Sequence, residues 1–386
     1  MTAGIVFLIA AAGLLYILAF YPIFLSIFGK RLARPVRRAP LEPTVSVIVP
    51  VHNGEAFLKQ KLSSILGLDY PNGKIETIVI SDGSTDRTEA IAQGFAERGV
   101  RLLRIPRGGK PAALNAAFEV AIGEILLLTD VRQELESGSL RQMVSCFADP
   151  EVGTVSGELI IRKGASEDED AIGLYWRFET WMRDQLSSID SMFGATGPFY
   201  AIRRSLAVPI PTDILLDDMY LPLAAFFRGY RLVMENGARA FDYPTGVDTE
   251  FRRKVRTLAG NYQLFRHYPG LLTFRNRMWV HYMSYKFGRL LLPWLLAAIA
   301  ISSFFLAEPW RILALAAQAL FYGTAAVDTW IPSGSRIKRI SSPARTFVVM
   351  MAAAFRGLSV FFVAPQSLWK VTSGGQFGES VRKYGQ

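Results

Sequence analysis

Short runs of β-branched and aliphatic residues alternate with stretches of helical period from residue 45 onward. Alternation of this kind predicts an α/β fold with an open, mostly parallel sheet and helices on both faces. In such sheets ligands bind beyond the carboxyl ends of the strands. The predicted strands are Val45 to Val51, Glu76 to Ser81, Val100 to Arg104 and Ile125 to Thr129, and the predicted helices are Ala56 to Gly67, Thr85 to Arg98 and Ala112 to Ala121.

An uncharged stretch opens the chain. Residues 2 to 29 carry no charged side chain, and five basic residues follow between Lys30 and Arg38. A run of this length can cross a bilayer, and the basic cluster marks its cytoplasmic end. Because the positive charge follows the apolar run instead of preceding it, the pattern predicts a retained anchor and not a cleaved signal peptide.

The C-terminal third predicts further membrane segments. Basic and aromatic residues interleave from Asn276 to Arg289, which is typical of a helix in the membrane interface. Leu290 to Ala307 and Ile312 to Ser335 are apolar enough to span. The last stretch, about Thr346 to Ala364, contains Arg356 and either crosses the bilayer or runs along it.

Composition supports a membrane protein over a nucleic-acid-binding one. The chain is 51% hydrophobic with a formal net charge of +10, and the basic residues cluster beside the apolar segments, so membrane lipids are the expected counter-charge and no nucleic acid is expected. The single cysteine excludes an intrachain disulfide, which fits a cytoplasmic catalytic domain. We therefore predict a multi-pass protein of a bacterial-type inner (plasma) membrane. Its predicted regions are an anchor and basic linker (1–40), a cytoplasmic catalytic domain (41–275), an interface helix with transmembrane segments (276–364) and a tail (365–386).

Polar and small residues follow the predicted strands. Asp82 stands after the second strand, Gly108-Gly109-Lys110 precedes a predicted helix, and Asp130 ends the fourth strand. Backbone amides at a helix start, with one ammonium group, suit a diphosphate. Taken alone, each block is also typical of an ordinary turn followed by the cap of a helix.

An acidic pair, Asp217-Asp218, lies between an apolar approach and a predicted helix. A semi-buried carboxylate beside a like charge has a raised pKa and can take a proton from a hydroxyl, so Asp218 is our candidate general base. The alternative is that the pair only stabilises the start of the helix.

Taken together, these blocks resemble a family 2 glycosyltransferase with a GT-A fold, specifically a membrane-anchored, polysaccharide-synthase-like member. The matching stretches are Val45 to Glu55, Ser81 to Asp86, Gly109 to Asn115, Thr129-Asp130, Gly194 to Gly197 and Asp217-Asp218. The resemblance implies inverting transfer of a sugar from a nucleotide-sugar, with a UDP-sugar expected, to a polysaccharide or lipid-linked acceptor.

The resemblance also implies roles for individual residues. Asp218 and Asp217 are the expected catalytic carboxylates, and Asp130 is the expected ligand of Mg²⁺ or Mn²⁺. Donor binding is expected from Pro50, Asn53, Glu55, Asp82, Lys110, Asn115, Asp130 and Arg256, and the acceptor side is expected to include Thr196, Gly197, Arg253 and Thr257.

Three departures from the family pattern change this picture. Ser81 replaces the first of two aspartates. Asp130-Val131-Arg132 replaces the Asp-x-Asp metal motif, and an arginine there can meet phosphate directly, which leaves metal dependence open. Processive members carry Gln-x-x-Arg-Trp where this chain has Arg253 to Thr257, so the ring that stacks on the acceptor sugar is absent.

Two alternatives to polysaccharide synthesis stay open. The missing stacking ring favours transfer of a single sugar to a lipid. The loss of one aspartate in each of two motifs also leaves room for an inactive, nucleotide-binding partner in a polysaccharide secretion complex, because function depends on the site and not on the fold.

The charge asymmetry of the first apolar run predicts the topology. We expect residues 45–275 in the cytoplasm, because the basic cluster from Lys30 to Arg38 follows the anchor. A reporter fused at about residue 150 should be active only as a cytoplasmic enzyme. Activity of a periplasmic reporter at that position would contradict this topology.

Overall fold

The computed structural model describes residues 2–162, 168–242, 247–332 and 335–364. Its strands are β1 (Val45–Val51), β2 (Ile75–Asp82), β3 (Val100–Ile105), β4 (Ile125–Thr129), β5 (Glu134–Leu135), β6 (Val152–Ile161), β7 (Phe199–Arg203) and β8 (Arg231–Asp242). Its helices are α1 (Thr2–Leu15), α2 (Tyr21–Leu32), α3 (Glu55–Leu66), α4 (Thr88–Gln93), α5 (Lys110–Val120), α6 (Ser139–Ser145), α7 (Asp168–Ile189), α8 (Asp217–Phe227), α9 (Val247–His267), α10 (Trp279–Tyr282), α11 (Gly288–Ser303), α12 (Trp310–Val327) and α13 (Lys338–Gly357).

The eight strands form one mixed sheet in the order β3-β2-β1-β4-β7-β6-β8-β5. The four strands that the sequence predicts are parallel to one another, which confirms that part of the fold. Beyond β4 the sheet becomes mixed, since β7 is antiparallel to both β4 and β6 while β8 is parallel to β6. The helix predicted over 85–98 is shorter than expected: α4 ends before Gly94, a weak helix former, and one 3₁₀ turn follows.

An apolar core lies between one face of the sheet and two helices. It is built from Ile48, Ile78 and Leu126 in the strands, from Leu114 in α5 and from Leu221 in α8, all fully buried or nearly so. Strands buried on both faces read as continuous apolar runs, which is why β1 and β4 could be identified from the sequence.

The sheet opens between β1 and β4 at their carboxyl ends. The two strands pair only as far as Ile48 and Leu128, whereas β1 continues beside β2 to Val51. Pro50 lies in this continuation, where the β4 side carries no ladder that its missing N–H would break. The chain runs from β1 outward through β2 and β3 and then returns to β4 on the other side of β1, so this gap is the topological switch point at which ligands bind in open α/β sheets.

Residue contacts divide the chain into two compact units. The sheet unit comprises residues 34–162 and 187–242, and the helical unit comprises residues 2–33, 168–186, 247–332 and 335–363. Most of α7 and all of α9 therefore belong with the apolar helices, although the sequence pattern placed residues 41–275 in one catalytic domain. The predicted tail, 365–386, lies outside the described residues.

The helical unit contains four helices that are long and apolar enough to span a membrane. These are Thr2–Leu32, Trp279–Ser303, Trp310–Trp330 and Lys338–Phe361. The predicted interface helix and the first C-terminal span are one continuous helix here, since α10 passes through a π turn into α11. Asp328, a buried charge at the end of α12, is paired: it binds Lys338 Nζ at 3.1 Å and accepts a hydrogen bond from Ser341 Oγ at 2.6 Å.

Candidate active site

Lys110 is presented by a glycine loop that Asp82 holds closed. The buried Asp82 carboxylate accepts hydrogen bonds from the backbone amides of Gly108 at 2.6 Å and Gly109 at 3.0 Å, and it pairs with Arg107. Gly109 has a φ of 84°, a conformation that suits glycine. The loop therefore starts α5 at Lys110, and the described contacts of Asp82 are with the protein itself. Its predicted contact with base or ribose remains a prediction.

The ammonium group of Lys110 joins two acids from different parts of the sheet unit. Nζ lies 2.9 Å from Asp130 Oδ1, at the end of β4, and 3.3 Å from Asp217 Oδ1, at the start of α8. Burial alone would lower the pKa of Lys110, but the two carboxylates outweigh it and raise the pKa above its ordinary value. The lysine therefore stays charged at neutral pH.

Asp217 has a second partner in Tyr200. The tyrosine hydroxyl donates to Asp217 Oδ2 at 3.2 Å, and the ring is fully buried on β7. Burial and the neighbouring acids raise the pKa of Tyr200 well above its ordinary value, so its hydroxyl stays a donor. Lys110 and Tyr200 thus engage one oxygen each of the Asp217 carboxylate.

This geometry can be compared with the alternative that Asp217 and Asp218 only stabilise the start of α8. The residue before α8, Leu216, has no side chain that can cap, and the carboxylate of Asp217 is directed to Lys110 and Tyr200. Negative charge in the first turn still suits the helix dipole. Capping alone does not account for the position of Asp217.

Asp218 lies against the Gly194 to Gly197 motif. Its backbone carbonyl accepts the N–H of Ala195 at 2.8 Å, and its Oδ2 is 2.8 Å from the place that a Cβ on Gly197 would occupy. Only glycine leaves room for the carboxylate in this position. Thr196 is buried, and its hydroxyl and N–H are both hydrogen-bonded to Ser156 Oγ. These bonds attach the turn to β6, and the predicted contact of Thr196 with the acceptor stays a prediction.

Three of the predicted donor-binding side chains bond within the sheet unit. Asn53, whose φ is 51°, accepts the N–H of Thr85 at 2.8 Å, and Glu55 accepts the N–H of Arg87 at 3.0 Å. These bonds connect the loops that follow β1 and β2. Asn115 uses both ends of its amide on the backbone of Ile210, each at 2.8 Å, and so braces the loop that leads to α8.

Arg132, the arginine that replaces the second acid of the metal motif, pairs with a buried acid at the end of β8. Its guanidinium lies 2.5 Å from Asp242 Oδ2, and Gln133 Nε2 donates to the same oxygen at 2.8 Å. Asp242 is 1% exposed and needs a counter-charge. Arg132 thus has a partner within the sheet unit, and its contact with the diphosphate stays a prediction. The cation beside Asp130 is Lys110.

Asp130 fits a divalent cation as one ligand among several. The described residues contain no group of three or more His, Cys, Asp or Glu side chains that would hold a metal by themselves. Mg²⁺ is commonly held by one or two carboxylates together with water and substrate phosphates. Asp130 can supply such an oxygen, and the remaining ligands would have to come from the donor and from water.

The remaining predicted residues, Arg253, Arg256 and Thr257, belong to the helical unit. They are on α9, where the hydroxyl of Thr257 donates to the carbonyl oxygen of Arg253. Their roles toward donor and acceptor stay predictions. Sequence reasoning missed Tyr200 and Asp242, because both act through partners distant in the chain.

The contact between Gly197 and Asp218 leads to a prediction. Gly197→Ala should displace the Asp218 carboxylate without straining the backbone, since Gly197 is not in the left-handed region. A shift of about 1 Å can lower turnover roughly 10²-fold, so we expect such a loss with little change in thermal midpoint. Gly138→Ala is the matched control, because nothing lies within 4 Å of its added Cβ. Equal turnover in the two variants would contradict the assigned contact.

Comparison with known proteins agrees with the geometry. The sequence model of the family described as "Glycosyl transferase family 2" matches residues 46–208. A probable glycosyltransferase, YdaM from Bacillus subtilis, is 26% identical over 238 residues, which are 57% of this chain and 55% of the relative. A beta-monoglucosyldiacylglycerol synthase from a Nostoc species is 26% identical over 260 residues, 61% of this chain and 52% of the relative. The chain thus spans about half the length of these curated relatives.

A solved structure shares the fold. The mannosyltransferase PcManGT from Pyrobaculum calidifontis, described in complex with GDP-Man and Mn²⁺, aligns with a TM-score of 0.70 and 23% identity over 94% of this chain and 99% of its own. The matched region contains Asp82, Lys110, Asp130 and the Gly197 turn. Residues 46–208 therefore form a domain of the glycosyl transferase family 2 with a GT-A fold.

Proposed function

We propose that the protein is an inverting glycosyltransferase that moves a sugar from a nucleotide-sugar, with a UDP-sugar as the expected donor, to a lipid-linked acceptor at the membrane. The observation that carries the proposal is the position of Lys110, whose ammonium group lies between Asp130 and Asp217 at the switch point of the sheet. A fixed cation at this point suits the diphosphate of a sugar-nucleotide.

Lys110 would act on the leaving group. Negative charge develops on the diphosphate as the bond to the sugar breaks, and a preorganised cation stabilises that charge more in the transition state than in the bound donor. Asp82 contributes indirectly, because it holds the loop that presents Lys110. A divalent cation bound by Asp130 and the phosphates would add positive charge at the same oxygens.

Asp218 would act on the acceptor. Its carboxylate takes the proton of the acceptor hydroxyl while that oxygen forms the new bond to the anomeric carbon and the diphosphate departs from the opposite face. One displacement of this kind inverts the anomeric centre. Asp217, bound by Lys110 and Tyr200, keeps the start of α8 in place beside the leaving group.

A cleft in the helical unit supports a lipid-linked acceptor. Helices α11, α12 and α13 line an open cleft of about 370 Å³ with almost entirely apolar side chains, and all three belong to candidate spans. Hydrocarbon chains are the neighbours expected for such a surface. The lining residues are Pro293, Leu296, Ala297, Ala300, Tyr322, Val348, Met351, Ala352 and Phe355.

A polysaccharide acceptor is the second candidate. The resemblance to polysaccharide-synthase-like members favours it, and Thr257 in place of a stacking tryptophan argues against processive elongation. One of the relatives is named as a synthase of a glucosylated diacylglycerol, which agrees with transfer to a lipid. With either acceptor, we expect the sheet unit on the cytoplasmic side of an inner membrane, where nucleotide-sugars are available.

Substitution of the two acids tests the proposed chemistry. Asp218→Asn keeps the size of the side chain but cannot take a proton, so turnover should fall by roughly 10²-fold to 10⁴-fold, the usual contribution of a general base. Nucleotide affinity should stay close to that of the parent, because Lys110 and Asp130 are unchanged. Asp217→Asn should lower turnover less and should also weaken nucleotide binding, since it removes one of the two charges that place Lys110.

Turnover, nucleotide affinity and thermal midpoint should be measured on both variants. If the pair only stabilised the start of α8, either variant would lower the thermal midpoint, because the first turn would lose a negative charge that suits the helix dipole, and neither would selectively lower turnover. An Asp218→Asn protein that folds, binds nucleotide and turns over at the parent rate would remove Asp218 from the mechanism.

A further inference from the structure

A buried lysine lies directly behind the turn that carries Asp130. Lys61, on α3, is only 1% exposed, and its ammonium group donates hydrogen bonds to Thr129 Oγ1 and to the carbonyl oxygen of Gln133, both at 2.6 Å. Lysine is among the residues least often buried completely. Its two bonded partners are neutral oxygens and not a carboxylate.

The two bonds of Lys61 close the turn at both ends. Thr129 is the last residue of β4 and Gln133 immediately precedes β5, so the lysine spans the segment that contains Asp130. The same segment is also held by Asp242, which binds Arg132 and Gln133. Asp130 is thus carried on a turn that both Lys61 and Asp242 hold.

The contact continues to the acceptor side of the site. The hydroxyl of Thr129, which accepts from Lys61, donates in turn to the carbonyl oxygen of Pro198 at 2.8 Å. The N–H of Asp130 also donates to this oxygen, at 3.3 Å. Pro198 follows Gly197, the glycine that lies against the Asp218 carboxylate. A hydrogen-bonded chain therefore runs from Lys61 through Thr129 to the turn beside Asp218.

We propose that Lys61 is a positioning residue: it fixes the Asp130 turn relative to the Gly197-Pro198 turn and thereby sets the spacing between the Lys110–Asp130 pair and Asp218. The inference rests on the proposed function for its effect on turnover, whereas the bracing itself can be measured without activity. No part of Lys61 touches the reacting atoms, so it acts through the two turns.

The chemistry of Lys61 suits this role better than it suits stability. Burial lowers the pKa of Lys61 to about 7, although the charges of Asp130 and Glu134 act in the opposite direction. A charged ammonium group has three N–H donors and a neutral amine keeps two, so both bonds can persist when the proton is lost. A methionine would fill similar space without burying an amine, and it would leave both turns without their donor.

Lys61→Met is the test, and Lys59→Met is its matched control. Lys59 lies on the same helix, is exposed, and its removal should change nothing. We expect Lys61→Met to fold and to bind UDP with nearly parental affinity, while turnover falls roughly 10²-fold, the loss that a misplacement of about 1 Å can cause. Hydrogen exchange should become faster in residues 129–133 and 196–199 and stay unchanged in α5.

Thr129→Val supplies an independent variant if Lys61→Met folds poorly. It removes the middle hydroxyl of the chain but keeps the shape of the side chain, and it should accelerate exchange in the same two turns. The double variant should be no slower in turnover than Lys61→Met, because both changes interrupt one chain.

Three results would overturn the proposal. These are unchanged exchange in both turns, a parental turnover of the folded Lys61→Met protein, or a loss of turnover that only follows a lower thermal midpoint and lost UDP binding. If the parent protein itself releases no nucleotide with any donor, the proposed function fails. The exchange measurement then still decides whether Lys61 holds the two turns.

Discussion

The candidate site depends on one interaction, the bridge that Lys110 makes between Asp130 and Asp217. Two carboxylates this close would repel each other in a semi-buried place, and the ammonium group between them offsets that repulsion. The same charge fixes the end of β4 relative to the start of α8, so the proposed donor side and the proposed acceptor side share one counter-ion. An entering diphosphate would meet a lysine that both acids already hold in place, which couples donor binding to the position of the acidic pair.

The sheet topology is what makes this bridge possible. The chain reverses its winding direction between β1 and β4, and the ladder between these strands stops early, so a gap opens at their carboxyl ends. Because β7 runs antiparallel to β4, its amino end lies at the same edge and brings the Gly197 turn beside Asp130. The short β5 pairs with the end of β8 and carries Arg132 and Gln133 to Asp242. Asp130 is thus placed by strand pairing, whereas Asp217 is held at the start of α8 by Lys110 and Tyr200.

The sequence allowed the parallel half of the sheet to be predicted, because buried strands such as β1 and β4 are continuous apolar runs bounded by turn residues. The blocks around Asp82, Lys110 and Asp217 were identified because motif order and strand ends coincide. Contacts between residues distant in the chain could not be predicted. Nothing near Arg132 indicates that its partner is Asp242, 110 positions away. Lys61 has no neighbouring sequence feature that distinguishes it from a lysine on the surface of an ordinary helix. The assignment of α7 and α9 to the helical unit also escaped prediction, since their boundaries carry no change of composition that separates them from the sheet unit.

The central claim is that Lys110 is the cation that stabilises a departing nucleoside diphosphate. The most direct measurement is the release of nucleoside diphosphate by the purified protein in lipid bilayers, with a panel of nucleotide-sugars and with lipid and oligosaccharide acceptors, for the parent and for Lys110→Met. The account predicts release with one class of donor by the parent and a loss of roughly 10²-fold or more in the variant, as expected when a preorganised charge is removed from the transition state. Release by Lys110→Met at the parental rate, from a protein of unchanged thermal midpoint, would contradict the account.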